Sequence, residues 1–364
     1  MSLIATRVQD WRIATPQFDK NMTRQSEYGA LDFFVSQTES GRSFITPELR
    51  DRALNSIGRG LDIPAINYDG DVTVSNARSC TIPDNDNTSA LYRVIFQTLS
   101  VGFTMVPTLH MNNLISYNHD FARKMEKITR ALATALDQGA VATLAANKTQ
   151  VFRDALEYAV TGNVIKTSWD NRMEIMGDID PIMRANDYPG QIHIIGNAGI
   201  ESNMRKMAQL GANNAINKVL EYAGKIFHYT NNVANENGIF GNAFAVEDGH
   251  VGYLTRAGRE NIRGARSNFH EWDIVNLPIL NMPVDTHYYT EVGDQSAVAG
   301  ESSADMICNV KEFFGFAVDV AYLVSYNSDP DIQANPIINF DIASPTGNRA
   351  AIPVTVTNAA DFPG

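Results

Sequence analysis

The chain has 364 residues, 44% of them hydrophobic and 19% charged, a length that supports one large irregular domain or two to three lobes around a substantial core. Its formal net charge of -12, from 41 acidic and 29 basic residues, opposes long-range attraction to anionic polymers and membranes. That argues against a dedicated nucleic-acid binder while leaving open a container that encloses nucleic acid, and the low charge content suits a surface that other subunits cover.

Cys80 and Cys308 stand far apart with no CxxC or Cys/His spacing, which gives neither a disulfide framework nor a zinc site, and a reducing cytoplasm is the default. The opening MSLIATRVQDW places Arg7 and Asp10 where a secretion signal would be apolar, so none is expected. The apolar run Phe313 to Val324 is broken by Asp319 and falls short of the roughly 20 residues that span a bilayer. A protein made and kept inside a cell is expected, so the Asn-Xaa-Ser/Thr triplets at Asn21, Asn87 and Asn147 carry no glycan.

Residues 1–60 mix Arg7, Arg12, Arg24, Arg42, Arg50, Arg52 and Arg59 with single apolar residues and no sustained period. One short helix is expected from N-cap Thr46 and Pro47 through Ile57, ending at Gly58 and Gly60; the rest reads as an extended arm that cannot bury itself. Residues 61–112 then turn β-branched and aromatic. Asp71 to Ser75 and Ala90 to Leu99, separated by the turn-forming Pro83 to Thr88, predict a long two-stranded ribbon that needs support from another chain.

The clearest helix follows. Phe121, Met125, Ile128, Leu132, Ala135 and Gly139 recur at alternating spacings of four and three, and Asp120 with Lys124 and Glu126 with Arg130 are i,i+4 pairs in the favourable orientation. A run from Asn118 to Asn147 makes a strut roughly 45 Å long. Beyond it, a short helix near Val151 to Val160 is expected, then a helical stripe at Trp169, Met173, Met176 and Met183 kinked or split by Pro181. Gln191 to Gly196 reads as a buried strand. Met204, Met207 and Leu210, then Ile216, Val219, Leu220, Ala223 and Phe227, read as two helical faces around Gly211. The remainder is expected as strands at Ile274 to Leu280, Thr286 to Val292, Phe313 to Ser325 (ambiguous with helix), Ile337 to Ile342 and Ile352 to Val356. There is no repeat, heptad array or low-complexity tract.

Chemistry-bearing motifs fail one by one. His270-Glu271 opens an HExxH-like phrase, but Ile274 stands where the second ligand would be. His110, His119, His193, His228, His250, His270 and His287 show no ligand spacing and read as surface or satisfied core residues. Ala223-Gly224-Lys225-Ile226 lacks the rest of a phosphate loop, Gly58-Arg59-Gly60 lacks a third glycine, and no Gly-Xaa-Ser-Xaa-Gly elbow is present. Asp178, Asp180 and Asp187 read as helix-end and loop solvation around Pro181. Asp84 to Asn87 is a turn without the glycine and glutamate of a calcium loop. Met173, Met176, Met183, Met204 and Met207 are adaptable packing. No catalytic, cofactor-binding or metal residue is assigned, and no cofactor is expected.

The order of parts, extended arm, long ribbon, strut helix, α/β lobe and late strands, resembles the major capsid proteins of tailed bacteriophages of the Hong Kong 97 type. Phrases with that family's texture are Ala135-Leu136-Asp137-Gln138-Gly139-Ala140, Ile192-His193-Ile194-Ile195-Gly196-Asn197, Val246-Glu247-Asp248-Gly249-His250-Val251-Gly252, Tyr322-Leu323-Val324-Ser325-Tyr326-Asn327 and Asn335-Pro336-Ile337-Ile338.

The resemblance implies an α+β, Hong Kong 97-like capsid fold: an N-arm over 1–60, an extended β-hairpin E-loop over 61–112 and a P-domain with a long spine helix over 113–164. An α/β A-domain over about 165–285 and returning A/P-domain strands with a C-terminal tail over 286–364 complete it. It further implies self-assembly into pentamers and hexamers that form an icosahedral head around phage double-stranded DNA, without sequence-specific binding or membrane contact. The virion would be assembled in the host cytoplasm with separate scaffolding, portal and decoration proteins. Some members cross-link through an E-loop lysine, but residues 61–112 contain none, so that chemistry is not expected. Removing residues 1 to about 45 is expected to leave a soluble subunit that no longer closes shells. The rival readings are an encapsulin-like nanocompartment shell, an enzyme whose site is scattered through the sequence, and a tail-tube or decoration protein, which the strut helix argues against.

Overall fold

In the computed structural model, a 30-residue helix, α3 (Tyr117–Ala146), runs across two separate sheets and packs on both. The structure describes residues 27–56, 60–66, 89–110, 116–149, 152–210, 221–222, 224–234, 238–257, 270–277, 280, 282–294, 308–325 and 336–345. The expected strands at 71–75 and 352–356, the turn at 83–88 and, from the second helical face, Ile216, Val219, Leu220 and Ala223 lie outside these residues.

Helix α3 starts where Ser116 accepts the His119 N–H at 3.3 Å, and it ends at Asn147. The expected ion pairs form, Lys124 to Asp120 at 2.9 Å and Arg130 to Glu126 at 2.5 Å. Its buried stripe runs Phe121, Met125, Ile128, Leu132, Leu136, Ala140 and Leu144, so beyond Leu132 it drifts one residue past the expected Ala135 and Gly139, as 3.6 residues per turn require. Gly139 is where Tyr322 crosses the helix: a Cβ there would sit 2.7 Å from the Tyr322 ring, whose hydroxyl donates to the Leu136 carbonyl at 2.6 Å.

The first half of α3 covers an antiparallel five-stranded sheet of β3 (Gln97–Met105), β10 (Val251–Arg256), β11 (His270–Leu277), β12 (Met282–Asp294) and β13 (Cys308–Val324). The 17-residue β13 is its axis, with β3 on one edge and β12 followed by β10 on the other. Phe314, Phe316, Val318 and Val320 alternate toward the helix, which settles the ambiguous Phe313 to Ser325 stretch as strand.

The second sheet has seven strands in the order β4 (Ala159–Thr161), β5 (Val164–Thr167), β14 (Ile337–Ala343), β9 (Ile239–Glu247), β6 (Ile192–Gly196), β8 (Lys225–Tyr229), β7 (Glu221–Tyr222). One face, through Ile192, Ile194, Ala243, Ala245, Ile338 and Phe340, packs on α4 (Ile175–Ala185) and α5 (Ala198–Leu210). The other, through Ile195, Phe244, Val246 and Ile337, receives Ala140 and Leu144 of α3 and helix α1 (Gly29–Glu39).

Helix α1 corrects the reading of residues 1–60 as an arm with a single helix. Ala30, Phe33 and Phe34 are 0% exposed, and α1 touches the sheet so closely that a Cβ on Gly29 would lie 2.2 Å from the Tyr229 carbonyl oxygen. Cutting at residue 45 would remove this core segment, so a soluble subunit is no longer expected from that deletion. The other helix of this region, α2 (Pro47–Asn55), matches its capping signals, with Thr46 accepting the Leu49 N–H at 3.3 Å.

Four further expectations change. No helix occupies 152–160: Leu156 has φ 52, and Asn186 binds both the Arg153 N–H and the Asp154 carbonyl. Phe227 lies in strand β8, not on a helix. Pro181 sits inside α4 without splitting it, while Trp169 and Met173 precede the helix and pack against the same core. The sheets also interleave across the expected line at residue 285, because β10, β11 and the start of β12 belong with the strut's sheet and β14 belongs with the α/β lobe.

Candidate assembly surface and polar clusters

Among the described residues, strands β1 (Gly60–Ile66) and β2 (Ser89–Ile95) pair only with each other, from Gly60 opposite Ile95 to Ile66 opposite Ser89. The base of this hairpin is anchored: Leu61, Val94 and Phe96 are buried with Leu49 and Ala53 of α2, Leu254 of β10 and Leu323 of β13. Its alternate face is not covered by the described residues. Leu91 is 73% and Ile95 64% exposed, with Arg93 between them. A two-stranded hairpin is marginal in water, and apolar residues aligned on one exposed face mark a contact surface. The partner of β2 is 60–66, nearer the hairpin base than the expected 71–75 segment.

Behind the hairpin the polar groups are tightly partnered. Phe96 lies under the Arg256 guanidinium at 4.6 Å, and Arg256 meets Asp319 at 2.7 Å while Thr98 donates to the same carboxylate at 2.5 Å. Where α1, α3 and the seven-stranded sheet meet, the fully buried Asp137 accepts the Leu31 N–H at 2.9 Å, the Asn232 amide at 2.6 Å and the Thr230 hydroxyl. A carboxylate at the first turn of α1 also complements the helix dipole. Burial, then Asp137 and Glu27, push the nearby Asp32 carboxyl above the ordinary range.

Each of the three aspartates read as helix-end and loop solvation has a side-chain partner. Asp178 accepts from Tyr158 at 2.7 Å, Asp180 pairs at 2.7 Å with Lys225, itself 1% exposed, and Asp187 pairs with Arg153. Burial and, next, the bond to Asp178 push the Tyr158 hydroxyl well up. They form no common site.

Two histidine pairs escaped the linear reading, because each is assembled across strands. His193 Nδ1 and His228 Nε2 lie 3.0 Å apart beneath Phe33, whose ring centroid is 4.9 and 5.1 Å from theirs. Burial lowers both, His228 to about 4, while Asp248 partly offsets the effect at His193. His270 Nδ1 and His287 Nε2 lie 2.8 Å apart on the five-stranded sheet. The one legible signal was a period-two pattern, His270 with Trp272 and His287 with Tyr289, on neighbouring strands.

Against this geometry, a scan of protein-family models and a search of curated proteins find no match. Solved structures do show partial likeness. One from Mycobacterium phage Che8 is 14% identical, with 87% of this chain and 92% of that chain covered at a TM-score of 0.49. The capsid of an empty GTA particle gives 12% identity, coverage of 94% and 100%, and a TM-score of 0.47. The capsid structure of the cyanophage P-SCSP1u gives 11%, 79% and 84%, and 0.45. Each superposition lies below a TM-score of 0.5, so none by itself assigns a role to this chain.

The described residues place no group of three or more His, Cys, Asp or Glu side chains where a metal could be held. No helix among them is long and apolar enough to cross a bilayer. Two open grooves lie on the described surface, one of about 420 Å³ beside Trp272, Asp285 and His287 and one of about 500 Å³ along Arg123, Lys127 and Arg130. Neither brings an activated nucleophile together with a base and an oxyanion cradle.

Proposed function

We propose that this chain is a shell subunit, the major capsid protein of a tailed phage with a Hong Kong 97-like fold. The observation that carries the proposal is the pairing of a 30-residue helix bridging two sheets with a hairpin whose apolar face the described residues leave uncovered. The strut makes the subunit a rigid tile, and the hairpin supplies a surface that the described residues leave open to another molecule. The resemblance in the order of parts supports the same reading.

In this assignment the five-stranded sheet with the first half of α3 is the P-domain, the seven-stranded sheet with α4 and α5 is the A-domain, and β1–β2 is the E-loop. The N-arm shortens to the residues before α1. Copies associate into pentamers and hexamers, each E-loop lying over a neighbour, and the shell encloses double-stranded DNA. Its stability comes from area burial summed over many contacts. Scaffold, portal and decoration proteins are separate chains, and the subunit performs no catalysis.

Negative-stain electron microscopy and light scattering on the chain expressed alone test the reading. Closed particles or free pentamers and hexamers are expected; a compact monomer at high concentration overturns it and favours an enzyme. Nuclease-protected DNA in native particles is expected, whereas protein cargo in its place would indicate an encapsulin-like compartment.

A further inference from the structure

We propose that the exposed hairpin row Leu91, Arg93 and Ile95 of one copy seats in a glycine-floored trough on the five-stranded sheet of a second copy. This seat presupposes the shell reading and supplies the surface on which the hairpin lands.

The trough follows from the strand registers. Trp272, His287, Gly315 and Gly102 form one cross-strand row over β11, β12, β13 and β3, and His270, Tyr289, Phe313 and Thr104 form the next. Both rows stand on the sheet face turned away from α3, because Phe314, Phe316, Val101 and Phe103 take the other face. In the second row rings stack across three strands, His270 to Tyr289 at 5.0 Å and Tyr289 to Phe313 at 4.5 Å. In the first the stack stops at Trp272 on His287, 3.5 Å apart. The two glycines then leave a groove of about 420 Å³ that Ser100, Asp285 and Ala317 also line. Gly102 has a use within the subunit, since a Cβ there would lie 2.8 Å from the Phe314 carbonyl oxygen. Gly315 has none of this kind: a Cβ there would meet only His287, at an ordinary 3.6 Å.

The hairpin row looks the opposite way. Strand β2 runs into β3 through Phe96. Val94 and Phe96 pack with Ala321 and Leu323, and Thr98 donates to Asp319, all on the side away from α3. Alternation therefore turns Leu91, Arg93 and Ile95 toward the α3 side, where Leu91 and Ile95 stand exposed. The hairpin leaves the sheet at Gln97 opposite Val320, five pairs from Gly102 opposite Gly315 and about 17 Å away, and runs in the other direction. A subunit's own hairpin thus points away from its own trough. A head-to-tail step brings the two surfaces together, each hairpin overlapping the next copy like a roof tile, and such heterologous contacts close rings.

The chemistry of the two surfaces matches. Arg93 stands between two apolar residues and is tied to Asp62 by an exposed pair at 3.9 Å, a contact weak enough to exchange. The trough offers it the Asp285 carboxylate beside the Trp272 and His287 rings, and guanidinium groups pair with carboxylates and stack on such rings. Leu91 and Ile95 flank Arg93 at two residues on either side, and they cover the apolar floor of Gly102, Gly315 and Ala317.

The test coexpresses two single-cysteine chains, Leu91→Cys and Gly315→Cys, each also carrying Cys80→Ser and Cys308→Ser, and oxidises the assemblies mildly. A disulfide-linked dimer is expected from the coexpressed pair and none from either chain alone. Ala317→Cys takes the place of Gly315→Cys if that variant does not fold. Particles or capsomers without the cross-link, or a dimer from Leu91→Cys alone, overturn the seat and leave the shell reading standing. A chain that stays monomeric at every concentration overturns both.

Discussion

Helix α1 and the β1–β2 hairpin lie early in the chain and treat their apolar residues in opposite ways. In α1, Phe33 and Phe34 are 0% exposed, Leu31 faces the core under the strut helix, and the helix N-terminus is tied to Asp137. In the hairpin, Leu91 and Ile95 face outward and only the base is anchored. The difference separates two uses of a segment that is weak on its own. One completes the core, and the other leaves an apolar surface exposed, which moves the proposed assembly function away from most of the N-terminal segment and onto the hairpin.

The largest effect should come from the buried side. Phe33→Ala removes a ring that touches both sheet residues and histidines, and should cost about 3–5 kcal/mol in chemical denaturation; a cost below 1 kcal/mol would mean that α1 is only loosely docked. Asp137→Ala orphans the Leu31 N–H and two side-chain donors and should cost about 3 kcal/mol in the same assay.

Acid probes the same interface. The neutral His193–His228 pair has folded-state proton affinities below those of the unfolded chain, so between about pH 6.5 and 4 the unfolded state binds more protons. The pair's contribution should be complete above pH 6.5 and fall by roughly 2–3 kcal/mol as pH drops toward 4. His228→Gln should flatten that slope in pH-resolved denaturation, and an unchanged slope would place the titration elsewhere.

The smallest effect on the subunit should come from the hairpin. Leu91→Ser with Ile95→Ser should shift its stability by no more than about 0.5 kcal/mol per site while abolishing closed particles in electron microscopy. Normal particles from that variant would erase the contrast with α1.

The strut helix was legible because a capping serine, ion pairs and one sustained apolar stripe agree. Helix α1 was not, because its apolar residues serve two bodies: Leu31 joins one core while Ala30, Phe33 and Phe34 join another, so no single stripe stands out. Strand β8 was hidden by Lys225, a charge at an inward position that only Asp180 makes tolerable. Residues 152–160 look helical in composition, but Asn186 claims the backbone of that stretch from 32 and 33 residues away. The hairpin was visible as strand-forming sequence, yet its register and its uncovered face depend on what the rest of the chain fails to reach. The histidine pairs needed the sheet registers before they existed at all.

Strand β2 passes into β3 through the single residue Phe96, and β3 is zipped to β13 over nine register pairs from Met105 opposite Glu312 to Gln97 opposite Val320. A tug on the hairpin therefore arrives at the body of the subunit lengthwise along an antiparallel ladder. Its hydrogen bonds lie across the pull and must fail together, not one after another as in peeling. If internal pressure stretches the proposed shell, the hairpin acts as a tension member and the load is delivered to β13, the longest of the described strands.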